Sequence, residues 1–226
     1  MRDRVAGSAL ATLAGCGAIL LWATLAALTV LRGPLPPFET TAITFALGGA
    51  CIGIAAVVRG RAHLIRPTGA SLALGVYGFF AYHALYFAAL SLAPPAEAHL
   101  LNSLWALLIV LFSALLPGHR LSPWHVGGAL LGLAAAALLV GSKVSGLPSG
   151  GDARLGFALA FCCAVIWSSY SVASRLVAAV PSESLCVTAL ATSLLAFLCS
   201  SIFETWTTPA SPGTWIAILA MGLGPV

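Results

Sequence analysis

Seven runs of about twenty apolar residues follow one another along this chain with little between them, and an eighth begins near its end. They occupy 9–31, 38–58, 69–92, 95–116, 123–142, 155–177 and 184–203, and the eighth starts at Pro212. A helix rising about 1.5 Å per residue needs about 20 residues to cross a hydrocarbon core roughly 30 Å thick. Backbone polar groups in that core find no water, so each run must satisfy its own, which a helix does. The runs also lack the alternation of a barrel strand. Only 7% of the residues are charged, against about 25% in soluble domains, so there is no material for a water-facing surface. The sequence predicts an all-α membrane protein, a multi-span helical bundle with the lipid bilayer as its solvent.

Punctuation sets the helix ends. Arg32-Gly33-Pro34 closes the first run, and Pro94-Pro95 opens the fourth, where a missing N–H costs nothing. The loops are short, so no soluble domain is expected. Leu13-Ala14-Gly15-Cys16 reads like a lipoprotein cleavage box. The apolar run continues past it to Leu31, whereas a signal peptide's core ends before its cleavage site, so an uncleaved first span is expected. Six cysteines form no CxxC pair and are expected as small apolar residues, not a disulfide framework. The eighth run would reach only about 22 Å by residue 226, so we expect a chain that continues beyond it.

With the N-terminus inside, Arg2, Arg4, Arg59, Arg61, Arg66, Arg120 and Arg175 fall on the inner side, and Arg32, Lys143 and Arg154 on the outer. The inner excess of basic residues predicts a cytoplasmic N-terminus. Because the basic residues are scattered through short loops, no nucleic-acid partner is expected.

Five helices end at Ser142, and the glycine-rich stretch 146–151 resets the pattern. Ile19-Leu20-Leu21-Trp22 in the first helix recurs as Ala164-Val165-Ile166-Trp167 in the sixth. A proline and an acidic residue follow each (Pro37 and Glu39; Pro181 and Glu183). An odd number of helices per unit makes the second copy enter from the opposite side, an inverted-topology repeat of the kind transporters use. The expected organisation is a first repeat over 1–145 and the start of an inverted second repeat over 152–226. That is about ten helices when complete and about seven and a half in this chain. Gly49-x-x-x-Gly53 and Gly128-x-x-x-Gly132 are expected to let helices approach closely.

Polar and aromatic residues at mid-depth carry the functional signal. Asn102 is the only asparagine, the chain has no glutamine, and Trp105 follows one turn later. Tyr82 and Tyr86 are four apart on one face of the third helix, beside His83, which lies near bilayer-centre depth. The sixth helix adds Trp167 and Tyr170, and the first adds Trp22. Buried polar groups at such depth face a cavity or another helix. For Tyr82, His83 and Asn102 both readings stand on sequence grounds: cavity wall or interhelical hydrogen bond. Collected, Trp22, Tyr82, His83, Tyr86, Asn102, Trp105, Trp167 and Tyr170 predict an aromatic-walled cavity for a flat, partly apolar solute. No HExxH, GxSxG or phosphate-binding GxxxxGK[ST] motif occurs, so no metal, cofactor or nucleotide hydrolysis is expected. No carboxylate is expected at mid-membrane.

These residues resemble the EamA-type branch of the drug/metabolite transporter superfamily. The resemblance rests on Ile19-Leu20-Leu21-Trp22, on Asn102-Ser103-Leu104-Trp105 with Leu111-Phe112, and on Ala164-Val165-Ile166-Trp167-Ser168-Ser169-Tyr170. It implies two inverted five-helix repeats, a central cavity, and export of aromatic amino acids and related compounds from the cytoplasm across a bacterial inner membrane. It places Trp105 and Trp167 on the pathway. The segment Thr40-Thr41-Ala42-Ile43-Thr44-Phe45 lacks the arginine that many such proteins carry there. We therefore expect a monomeric exporter of small aromatic solutes working by alternating access. A multidrug or other metabolite exporter of the same superfamily is the first alternative. An intramembrane enzyme pairing Ser103 or Ser169 with His83 is the second.

Overall fold

A computed structural model describes residues 2–118, 121–144, 151–177, 179–209 and 211–225. Among them there is no strand. The helices are α1 (Arg2–Leu31), α2 (Pro37–Val58), α3 (Gly69–Val76), α4 (Tyr82–Leu92), α5 (Pro95–Asn102), α6 (Trp105–Phe112), α7 (Pro123–Val144), α8 (Gly151–Ala173), α9 (Leu185–Phe203) and α10 (Pro212–Leu223). Six stretches among the described residues are long and apolar enough to cross a membrane, and two shorter apolar helices, Pro123–Leu138 and Pro212–Leu223, accompany them.

The apolar runs and the helices coincide within a few residues, but two runs are not uniform helices. The third is α3 and α4 joined by a π-helical turn, Tyr77–Ala81. The fourth tightens where α5 meets α6. There the Leu104 N–H bonds the Leu101 carbonyl (3.2 Å) and the Ala106 N–H bonds the Ser103 carbonyl (3.3 Å), three residues back instead of four. Ends follow the sequence: proline opens α2, α5 and α10. The left-handed Gly33 (φ 72°) and Gly60 (φ 68°) end α1 and α2, a conformation other residues adopt at a cost.

Small residues set the packing, as expected where lipid supplies no hydrophobic drive between helices. α2 and α9 form the most extensive pair and run antiparallel. A Cβ at Gly49 would meet the Leu190 side chain at 3.0 Å, and one at Gly53 would meet Cys186 at 3.2 Å. The second glycine pair does less than expected: Gly132 faces Leu107 of α6, while Gly128 has nothing within 4 Å. α8 packs along α4, α5 and α6, and α10 rests on α2 and α1.

Charged groups sit at both ends of the α2–α9 pair. At one end Glu204, just past α9, accepts the Phe38 and Glu39 N–H groups with its two carboxylate oxygens, each at 2.9 Å. Those donors have no helical partner, and the carboxylate meets the positive end of the α2 dipole. Glu39 in turn accepts the Thr207 N–H (3.0 Å). At the other end Arg61 and Glu183 form an exposed ion pair (3.1 Å).

Arg32 corrects a sequence expectation. It is not a loop cation but 1% exposed. Its guanidinium donates to the Leu35 carbonyl, to Thr40 (3.0 Å), to the Phe87 carbonyl (3.2 Å) and to Ser91 (2.9 Å), and lies 5.3 Å over the Phe87 ring. Burial pushes it down to about 10, opposed by Glu204 and Glu39, so it stays cationic at neutral pH. The loop-charge count therefore loses one outer member. The side chains of Arg2, Arg4, Arg120 and Lys143, and the linker 146–150, lie outside the described residues.

Replacing Glu204 by alanine is expected to lower the melting temperature of the detergent-solubilised protein, because the Phe38 and Glu39 N–H groups lose their acceptor and the buried Arg32 loses a nearby negative charge, a cost of about 1.5–3 kcal/mol. Arg61→Ala is expected to leave it unchanged, since an exposed pair contributes little.

Candidate functional site

The helices that carry the expected polar residues converge on one cavity of about 310 Å³, at the small end of the roughly 300–1,000 Å³ range of ligand sites. α1 supplies Trp22, α4 supplies Tyr82 and His83, and α8 supplies Trp167. Asn102 and Trp105 come from the two sides of the α5–α6 break. The break accounts for their placement. Three residues on an unbroken helix span nearly a full turn, and the tightened ladder rotates Trp105 relative to Asn102. Ser168 of α8 donates to the Trp105 carbonyl (2.9 Å), which ties the break to the facing helix.

Ring contacts make the wall continuous. Trp22 meets Trp167 edge-on at 6.2 Å, and Trp167 lies 5.0 Å from Tyr82. Tyr82 stacks on Tyr86 at 5.6 Å and 13°. Such offset and edge geometries are the ones aromatic quadrupoles favour, and each pair adds about 0.5–1.5 kcal/mol beyond burial. A second cavity of about 180 Å³ adjoins the first and shares Trp22, His83 and Trp167 with it.

Hydrogen bonds orient the polar members. Asn102, 1% exposed, donates from Nδ2 to the Tyr82 hydroxyl (2.9 Å). Its Oδ1 is buried and has no partner among the described residues. Both sequence readings of Asn102 thus hold at once: it bridges two helices and borders the cavity. His83 donates from Nδ1 to the Phe79 carbonyl (3.0 Å), because a carbonyl only accepts. Nε2 is then the ring's acceptor. Neither Ser103 nor Ser169 reaches His83. Ser103 donates to the His99 carbonyl (2.9 Å), and Ser169 donates to the Ile166 carbonyl (3.0 Å) and meets the Tyr77 hydroxyl (2.9 Å).

Two expected wall residues are placed elsewhere. Tyr86 is fully buried behind Tyr82, with its hydroxyl on His99 Nδ1 (3.0 Å). Tyr170 borders a different cavity, beyond Phe79. Conversely, His99 borders the main cavity and was not singled out from the sequence, and Ser103, which the sequence offered only as a nucleophile, borders it too. His99 sits three residues before Asn102, so the helical period was the signal that could have found it.

A model of the EamA-like transporter family matches residues 9–141, more than half of the chain. The chain belongs to the EamA-like transporter family. The aromatic amino acid exporter YddG of Ancylobacter novellus is 50% identical over 218 residues, which cover 96% of this chain and 75% of that protein. A solved crystal structure superposes with a TM-score of 0.76 at 49% identity, covering 96% of this chain and 75% of its own. The EamA resemblance read from the tryptophan and asparagine motifs is thus shown, as is the multi-span helical membrane fold.

The Asn102–Tyr82 bond yields a double-mutant test. Tyr82→Phe strands a buried amide and Asn102→Leu strands a buried hydroxyl, each at about 1–3 kcal/mol. The double variant strands neither. Its melting temperature is expected to lie closer to the parent's than that of either single variant.

Proposed function

We propose that this protein exports aromatic amino acids and related small aromatic solutes from the cytoplasm across a bacterial inner membrane. Transport proceeds by alternating access between two inverted repeats, 1–145 and 152–226, with the N-terminus in the cytoplasm and no covalent chemistry. The observation that carries the reading is the convergence of Trp22, Tyr82, Trp105 and Trp167 from separate helices on one cavity. Indole and phenol faces recognise a flat solute by stacking and exclude neither indole nor benzene rings. The 50% identity to a protein named an aromatic amino acid exporter agrees with that chemistry.

Polar recognition is sparse in this reading. Asn102 Oδ1, buried and without a partner among the described residues, is the acceptor it assigns to an ammonium or an indole N–H once a side-chain shift opens it to the cavity. Imidazole and hydroxyl groups of His83, His99 and Ser103 complete the polar lining. No carboxylate borders the cavity among the described residues, so the wall offers a cation ring faces and neutral acceptors but no counter-charge. The repeat reading is supported by the antiparallel α2–α9 pair, whose ends are each closed by a charged group of the other unit. The enzyme alternative requires a nucleophile on His83, and neither proposed serine bonds it.

Uptake of labelled tryptophan or phenylalanine into proteoliposomes tests the reading. Accumulation to equilibrium is expected, with the rate unchanged by a pH gradient. Trp167→Ala is expected to slow it about tenfold, the size of one or two lost aromatic contacts. Uptake no faster than in protein-free liposomes would refute the substrate, and a rate driven by the gradient would assign proton carriage to His83 or His99.

A further inference from the structure

A third cavity, of about 140 Å³, lies at the end of the bundle where α3 and α9 begin. Its wall differs from that of the main cavity: Ser71, Ser174, Ser184 and Thr188 bring hydroxyls, and Tyr170 closes one side. Between it and the main cavity lies the 180 Å³ space bordered by Phe45, Phe79, Trp167 and Leu185. Leu185 borders this space and the third cavity alike. Phe79 borders only the former and Tyr170 only the latter, and their rings meet at 5.8 Å. The three cavities thus follow one another, and Tyr170, against Phe79 and Trp167, stands between the last two.

The backbone opposite Tyr170 is built to receive it. Phe79 belongs to the π-helical turn Tyr77–Ala81, a form that is rare and occurs mostly as single turns, often at functional positions. Gly78 lies in the same turn, and a Cβ there would stand 2.5 Å from the Tyr170 ring. The ring occupies the volume of that missing methyl group. Trp167, 5.3 Å away, holds its other side. Among the described residues no hydrogen bond ties the Tyr170 hydroxyl, so packing alone keeps the ring in place.

We propose that Tyr170, seated in the notch left by Gly78 against Phe79, is the partition between the aromatic cavity and the hydroxyl-lined cavity, and that solute passes when the ring leaves the notch. The hydroxyl-lined cavity is then a second station on the route, solvating the polar end of an amino acid while the partition is shut. The identity of the passing solute rests on the proposed export of aromatic amino acids. The partition itself rests on the geometry.

The test is accessibility from the side where α2 ends. Ser103→Cys places a thiol on the main cavity, beyond the partition. A charged, membrane-impermeant thiol reagent is applied to vesicles from that side, in the cold and without solute, with the parent's own cysteines as background. Tyr170→Ala is expected to label Cys at 103 at least tenfold faster than the Tyr170 chain. Tyr170→Leu, which keeps more of the packing volume, is expected to do so to a smaller extent, and Tyr170→Phe, which keeps the ring, to label at the slow rate. Equal rates for the leucine and tyrosine chains, both eluting as folded protein, would overturn the proposal even where the alanine variant fails to fold. Labelling requires no transport. A negative result leaves the substrate reading intact, and absence of aromatic uptake leaves the partition intact.

Discussion

Inside a bilayer no water is available to satisfy a polar group, and this structure is organised by that scarcity. Hydroxyls turn back to their own helix: Thr29 to the Leu25 carbonyl, Thr44 to the Thr40 carbonyl and Ser91 to the Phe87 carbonyl, at 2.7–2.8 Å. Arg32 draws four acceptors and a ring face around itself, which brings the start of α2 against the end of α4. The exceptions carry information. Among the described residues, three buried side-chain atoms stay without a partner: Arg32 Nε, Asn102 Oδ1 and Thr192 Oγ1. Of these residues, only Asn102 borders the aromatic cavity. A buried polar group left alone costs free energy, and this one lies beside a cavity.

The α2–α9 pair shows the same scarcity handled in two ways. At the Glu204 end, the half-buried carboxylate replaces the water that would otherwise bond the first N–H groups of α2, and the neighbouring Glu39 and Arg32 are buried. At the Arg61 end the ion pair lies in solvent, where screening and side-chain entropy reduce its contribution. One end of the pair is therefore held firmly and the other loosely. The hydroxyl-lined cavity lies at the loosely held end, beside Ser184 and Leu185.

Much of the fold was legible because hydropathy and helix length report the bilayer directly. Proline and glycine marked the ends, and Gly49 and Gly53 marked the closest helix pair. Hydropathy cannot see how a helix is wound. The π turn at Tyr77–Ala81 and the tightened ladder after Asn102 keep the same apolar composition as regular helix, so neither shows in the sequence, though both position the site. Nor does a helical period resolve depth within a wall. Tyr82 and Tyr86 share a face, yet one borders the cavity and the other sits behind it. Trp167 and Tyr170 are one turn apart and their rings touch, yet they border different cavities. Arg32 looked like a loop cation because its acceptors come from residues 35, 40, 87 and 91, contacts that only the folded chain brings together.

The fit of Tyr170 against Gly78 has a consequence for how this chain can diverge. Neither position is free by itself: any side chain at 78 collides with the ring, and a smaller residue at 170 leaves a hole where that ring was. The two sites, ninety-two positions apart, form a single inherited unit. A side chain at 78 is accommodated only together with a smaller residue at 170, so the two changes must arrive together.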